Sequence, residues 1–324
     1  MSVLSQGSGN RPLSPTVIMV DQRVKVEDEM AAAVMKNSNS VSKRKKEQHQ
    51  ETRPRERDHP QTGVQCKDVV VSPQSGVSAR IFIPKSINGP DHKLPLVVHY
   101  HGGGFCVGSP FAKAFHDFLV SLASQANVVV VSVDYRLAPE HPLPIAHQDS
   151  WTSMQWIATH SNGQGPEPWL NEYADFGRVF LAGESAGANI AHYVAVQAGA
   201  TGLAGPNIVG LLILHPFFGG KEPDKMISYM YPTSTWYNDP ILYPEVDPNV
   251  SRLAGKKVLI CVAEKDWLKD RGVGYSETLG KSGWKGSLGL FESEGESHAF
   301  FLFNPSSDKV GPLMKVMVDF INQE

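Results

Sequence analysis

From Val64 onward, short apolar runs alternate with stretches whose apolar positions recur at helical spacing. Lys67 to Val71 and Val77 to Ile83 read as paired strands, with Ser72-Pro73-Gln74-Ser75-Gly76 as the turn between them. Leu94 to Tyr100 and Asn127 to Val133 are near-continuous apolar strands; 178–182, Val209 to Leu214, Lys257 to Val262 and Ser287 to Glu292 supply others. Helices are expected at Phe111 to Gln125, Ile145 to His160, 186–198, Leu268 to Lys281 and Lys309 to Phe320. In the second of these, Trp151, Met154 and Ile157 recur on nearly one face. Apolar runs of this kind are buried on both faces, so the pattern predicts a mostly parallel central sheet flanked by helices, an α/β architecture. Sites in such sheets lie at the carboxyl ends of the strands.

Residues 1–62 read differently. Lys43, Arg44, Lys45, Lys46, Arg53, Arg55 and Arg57 stand against four acidic residues between Lys43 and Asp58, with few apolar residues among them. This is a basic arm, linker or partial cap, with Val24 to Met35 as a short helix; a nuclear-import or polyanion patch is the alternative. Residues 63–324 form the expected catalytic domain. The formal net charge of -3 argues against general attraction to nucleic acid or acidic membrane. No apolar run approaches the length of a membrane span, and Met1 to Asn10 is polar. The three cysteines, Cys66, Cys106 and Cys261, have neither disulfide-framework nor metal-site spacing. They read as small core residues of a soluble, cytoplasmic protein.

The first chemical signal is Gly183-Glu184-Ser185-Ala186-Gly187, between the run 178–182 and a predicted helix. Glycine two places either side of Ser185 allows a sharp strand-to-helix corner that holds the hydroxyl clear of the sheet, a candidate nucleophile. Directly after Leu94 to Tyr100 comes a second glycine cluster, His101-Gly102-Gly103-Gly104-Phe105. It lacks both the Walker ending and the dinucleotide spacing, and no helix begins promptly after it. An oxyanion hole fits better, made of the N–H groups of Gly103, Gly104 and Ala186; one such donor is worth roughly 3 kcal/mol of transition-state stabilisation. His101 is expected to brace that turn rather than move a proton.

Strand 257–262 runs into Ala263-Glu264-Lys265-Asp266-Trp267, where Asp266 is the preferred orienting acid and Glu264 the second choice. The last strand leads to Gly295-Glu296-Ser297-His298, which places a candidate base beyond the acid. The order Ser185, Asp266, His298 is that of the α/β-hydrolase arrangement and differs from the trypsin-like and subtilisin-like orders. The chemistry expected is acyl transfer: His298 as base, Asp266 holding its tautomer, Ser185 attacking an ester carbonyl. The set is complete without a cofactor or a metal.

These residues resemble the plant carboxylesterases of the hormone-sensitive-lipase-like α/β-hydrolase group. The matches are His101 to Phe105, Asp134-Tyr135-Arg136-Leu137-Ala138-Pro139-Glu140, Gly183 to Gly187, Ala263 to Asp266 and Lys281-Ser282-Gly283-Trp284-Lys285-Gly286, and they span about Thr62 to the C-terminus. Pro166-Glu167-Pro168-Trp169-Leu170 is similar to the branch that includes 2-hydroxyisoflavanone dehydratase. The resemblance implies an α/β-hydrolase fold and a serine carboxylesterase cleaving small apolar or aromatic esters through an acyl-enzyme. It assigns Ser185, Asp266 and His298 to the triad and Gly103, Gly104 and Ala186 to the oxyanion hole. The alternative it implies is a dehydratase-like lyase with residual esterase activity. The legume dehydratases, however, carry threonine at the nucleophile position, where this chain has Ser185. A non-catalytic gibberellin-receptor-like binding protein is the third reading, and such receptors lack the triad histidine. The family's cap signature is missing near the N-terminus and Gly219 to Thr235 is short, so a reduced or atypical cap and an open pocket are expected. Phe105, Phe217, Phe218, Trp267 and Phe300 are its candidate walls. A small-molecule ester is the expected partner; the sequence carries no sign of oligomeric state.

Overall fold

The computed structural model describes residues 57–85, 93–221 and 225–323. The expected helix at Val24 to Met35 and all of the basic tract except Arg57 lie outside them. The strands are β1 (Arg57–Asp58), β2 (Gln65–Ser72), β3 (Val77–Ile83), β4 (Leu94–Tyr100), β5 (Val129–Asp134), β6 (Ala174–Glu184), β7 (Ile208–Leu214), β8 (Lys257–Ala263) and β9 (Ser287–Ser293). The helices are α1 (Lys113–Ala126), α2 (Ile145–Ala158), α3 (Pro168–Tyr173), α4 (Ala186–Thr201), α5 (Lys225–Met230), α6 (Lys269–Lys281), α7 (Phe300–Phe303) and α8 (Val310–Asn322). Among the described residues one nine-stranded sheet runs in the order β1-β2-β3-β5-β4-β6-β7-β8-β9. The first three strands and the β3–β5 pair are antiparallel; from β5 to β9 every pair is parallel.

Alternation along the parallel strands builds two cores. Leu96, Val98 and Tyr100 of β4, Val179 and Leu181 of β6, and Val258, Ile260 and Val262 of β8 face α2, α4 and α6. Val97, Phe180, Ala182, Leu259 and Cys261 face α1, α7 and α8. Burial on both sides explains why these strands are predominantly apolar. All three cysteines are buried and free.

The expected elements recur with shifted ends. Asn127 does not open β5: it caps α1 in the left-handed conformation (φ 53°), its N–H bonded to Ala123 O, which an asparagine tolerates. The helix expected from Phe111 starts at Lys113, because Ala112 is extended and Phe111 N–H is held by Ser109 Oγ at 3.2 Å. β6 begins at Ala174, ahead of its apolar run, by pairing with Leu94 and Pro95. α3, α5 and α7 are too short to show periodicity; α3 is signalled instead by Pro168 behind Glu167, whose carboxylate accepts from Trp169 N–H.

β4 lies between β5 and β6. The chain leaves β4 toward one side of the sheet and later returns on the other, which makes a topological switch point at the carboxyl ends of β4 and β6. The glycine cluster after β4 and Ser185 after β6 both sit there.

Candidate active site

Ser185 joins β6 to α4 with φ 55° and ψ −119°, a conformation that costs a non-glycine residue about 1–3 kcal/mol and persists only where the surroundings impose it. They do so from both sides: Ser185 N–H donates to Leu214 O at 2.9 Å, and Ser185 O accepts from Phe217 N–H at 3.0 Å. The flanking glycines are steric necessities. A Cβ on Gly183 would stand 2.3 Å from the carbonyl of Gly187.

The loop 101–105 turns through three consecutive positive φ values, at Gly103 (114°), Gly104 (58°) and Phe105 (60°). The backbone N–H groups of Gly103, Gly104 and Ala186 are engaged by no acceptor among the described residues, as an oxyanion site requires. The loop is braced from beneath. Glu184, fully buried, accepts from Gly102 N–H at 2.5 Å and pairs with His99 Nε2 at 2.9 Å, and His99 Nδ1 meets Ser132 Oγ at 2.9 Å. His101 stacks on Tyr135 at 4.3 Å between ring centres, and Tyr135 OH donates to His101 O. His101 therefore holds the turn in place.

Asp266 and His298 meet as the chain order predicts: His298 Nδ1 donates to Asp266 Oδ2 at 2.8 Å. Asp266 is buried and its Oδ1 accepts from Leu268 N–H. Held in this way, it accepts a hydrogen bond from the His298 proton at Nδ1 and leaves the Nε2 lone pair for a substrate proton. The two loops that carry the pair are laced together by Glu264 N–H to Ser293 O, Lys265 N–H to Glu296 O and Gly295 N–H to Glu264 Oε2. Glu264, the second choice for the acid, is thus a tie between loops. No hydrogen bond joins Ser185 Oγ to His298 among the described residues; such contacts commonly tighten only when substrate binds.

Phe105, Phe217 and Trp267 form one aromatic run, with ring centres 6.0 Å and 6.4 Å apart. Arg271 lies over Phe217 and Trp267 and donates to Phe218 O at 2.6 Å. The other two wall candidates are not brought to that run. Phe218 packs on Tyr275 and His192 in the first core. Phe300 sits in the core on the opposite face of the sheet, against Phe301, because left-handed Ala299 turns the chain into α7.

Sequence reasoning missed Glu184, His99, Arg271 and His215, the last a buried imidazole directly after β7. For two of them the signal was available: His99 and Glu184 are polar residues within strands buried on both faces, and such groups need a partner. Among the described residues two donor sets have the spacing of a metal site, His215–Asp266–His298 and His59–His116–Asp117. In the first, Asp266 and His298 are spent on each other and His215 Nδ1 on Ala299 N–H. In the second, Arg80 approaches His116 at 3.3 Å and Lys113 pairs with Asp117, a cationic setting hostile to a metal ion.

A strained serine corner and unspent amides at the switch point, with an acid-held imidazole at the same carboxyl end of the parallel sheet, define a hydrolase of the α/β class. The chain belongs to the alpha/beta hydrolase fold family, which it matches over residues 97–302. It is similar to 2-hydroxyisoflavanone dehydratase of Glycine max, with 40% identity over 82% of this chain and 89% of that protein. It is 41% identical to probable carboxylesterase 13 of Arabidopsis thaliana, over 81% of this chain and 88% of that one. Among solved structures it resembles the hyperthermophilic esterase of Pyrobaculum calidifontis, with TM-score 0.66 and 26% identity over 96% of this chain and 98% of that one. Esterase LipW of Mycobacterium marinum has TM-score 0.69 and 26% identity, with 90% of each chain covered.

Proposed function

We propose that Ser185, Asp266 and His298 are the catalytic triad and that Gly103, Gly104 and Ala186 supply the oxyanion hole of a serine carboxylesterase. The observation that carries this reading is the His298–Asp266 hydrogen bond, formed between loops 32 residues apart at the same end of the sheet as Ser185. His298 Nε2 takes the Ser185 proton as Oγ attacks the ester carbonyl, and the resulting oxyanion is held by the three unspent N–H groups. Collapse expels the alcohol, protonated by His298, and leaves an acyl-serine. Water, deprotonated by His298, then releases the acid and restores the serine.

The protein is a carboxylic ester hydrolase acting on small-molecule esters. Phe105, Phe217 and Trp267 favour an apolar or aromatic acyl or alcohol group beside Ser185. Residues 63–324 are the catalytic domain and 1–62 a basic arm or partial cap. No helix among the described residues is long and apolar enough to cross a membrane. The free, buried cysteines agree with a reducing compartment such as the cytoplasm.

The relatives named as dehydratases support one competing reading, elimination of water from a 2-hydroxyisoflavanone by the same base. Assaying wild type and Ser185→Ala on short acyl aryl esters and on a 2-hydroxyisoflavanone separates the two. Ester turnover that vanishes in Ser185→Ala, without water elimination, is the expected result. Wild-type ester rates in folded Ser185→Ala defeat the assignment of the nucleophile; elimination without ester turnover defeats the esterase reading.

A further inference from the structure

His215 lies at the carboxyl end of β7, one strand over from the nucleophile, and its backbone is left-handed (φ 44°) although it is not glycine. Its side chain is completely buried between the acid and the loop of the base. The ring centre is 5.8 Å from that of His298 and 5.5 Å from that of Phe301, which it meets edge-on. Its Nδ1 accepts a hydrogen bond of 2.9 Å from the backbone N–H of Ala299, the residue that follows His298. Ala299 is itself left-handed (φ 50°, ψ 33°), an unfavoured state for alanine that needs an external hold.

We propose that His215 is a positioning residue for His298: by accepting the Ala299 N–H it fixes the strained turn that presents the imidazole to Ser185. The inference rests on His298 being the base.

The tautomer follows from the bond. Because Nδ1 supplies a lone pair to Ala299, the ring proton sits on Nε2, a buried atom with no partner among the described residues. A buried N–H left unpaired is unfavourable, so something else must select this arrangement. Asp266 Oδ2 is 3.4 Å from the same Nδ1. With the proton moved to Nδ1, His215 would compete with His298 for that oxygen and would turn its N–H against the N–H of Ala299. The Ala299 bond thus keeps His215 away from the carboxylate and reserves Asp266 for His298. The groups facing the ring are Asp266 and His298; burial first, and then the neighbouring His298, push the His215 pKa down to about 3, so it stays neutral while His298 works.

The test compares His215→Asn, whose amide oxygen can accept from Ala299 N–H, with His215→Leu, which cannot, after Ser185→Ala and His298→Ala have been assayed. His215→Leu is expected to lose roughly 100-fold in kcat with KM nearly unchanged, the scale of a displaced catalytic group. His215→Asn should stay within about tenfold of wild type. The downfield imidazole N–H resonance of the His298–Asp266 pair should persist in His215→Asn and broaden or vanish in His215→Leu. Wild-type kcat in His215→Leu, with His298→Ala inactive, overturns the proposal; so do equal losses in the two variants with the resonance intact. If His215→Leu does not fold, His215→Asn decides alone: a folded His215→Asn as slow as His298→Ala overturns the idea, and near-wild-type turnover upholds it. Activity in His298→Ala would instead sink the assignment of the base.

Discussion

The first turn of α4 lies against the end of β4 so closely that a Cβ on Gly187 would stand 1.9 Å from the carbonyl oxygen of Tyr100. Two parts of the site, the serine corner and the glycine loop, are therefore in direct backbone contact at this point. Gly187→Ala must push them apart and is expected to remove at least about 100-fold of activity, the scale of an ångström-sized misplacement. Gly274→Ala, on the exposed side of α6 with nothing within 4 Å of its Cβ, is the control. It should keep full activity and gain roughly 0.5–1 kcal/mol of stability, because alanine loses less chain entropy in a helix. Parallel kinetics and thermal melts check the pair; an active Gly187→Ala would mean that the contact is slack.

Glu184 joins the nucleophile strand to the oxyanion loop through Gly102 N–H and His99. Replacing it by leucine strands two buried donors, and each unsatisfied group costs about 1–3 kcal/mol. Glu184→Leu is expected to lower both the melting temperature and kcat. Glu184→Gln keeps an acceptor for Gly102 and should lose less of each. Equal damage in the two variants would show that the carboxylate's charge, not its hydrogen bond to the loop, is what matters.

Buried histidines make the fold sensitive to acid. Burial lowers His147 to about 4, His192 to about 3 and His215 to about 3, and it lowers His160 as well. In the unfolded chain each takes up its proton near pH 6.5, so above that pH neither state binds one. Below it the unfolded state binds protons that the native state refuses, and stability falls as pH falls toward 4. The four such groups among the described residues limit the slope to roughly 5 kcal/mol per pH unit. Urea unfolding at pH 7, 6 and 5 should show this loss, and His192→Phe should reduce the slope by about one proton. A flat stability between pH 7 and 5 would contradict it.

Arg136 clasps Asp149 of α2 through two guanidinium bonds of 2.8 Å and 2.7 Å and through its own backbone N–H at 3.0 Å. Asp149 is buried and Arg136 about a quarter exposed, so solvent screens part of the attraction. Asp149→Ala leaves a cation and a backbone donor unmatched and is expected to cost roughly 2–3 kcal/mol. Because the neighbouring Tyr135 braces His101, kcat should fall modestly as well. Differential scanning calorimetry together with an ester assay would reveal a purely peripheral pair by an unchanged melting temperature.

Much of this was legible in the residues because parallel strands and nucleophile corners impose narrow demands. β3 and β4 have the ends that their apolar runs predict, and Asp266 and His298 meet in the order that strand-end acids and late histidines suggest. Asn127 was misplaced because a left-handed cap and a strand start share residue types. The short helices carry too few turns for periodicity. Phe300 was misassigned because an aromatic two positions beyond the base looks like a pocket wall until left-handed Ala299 is seen to turn it into the other core. His215 was hidden for a similar reason: its partner is a backbone amide 84 residues away, and no spacing rule announces that.

The position of β4 between β5 and β6 has a consequence for how activity arises during folding. Gly102 and Glu184, 82 residues apart, touch only once β6 has been laid along β4. Closing a loop of that length is entropically slow and brings little reward until the pairing is complete. Catalytic competence should therefore appear in one late step, together with closure of the central strand pair. Ester turnover then serves as a clock for that step: in a refolding experiment it should lag behind helix formation and rise with burial of Tyr100.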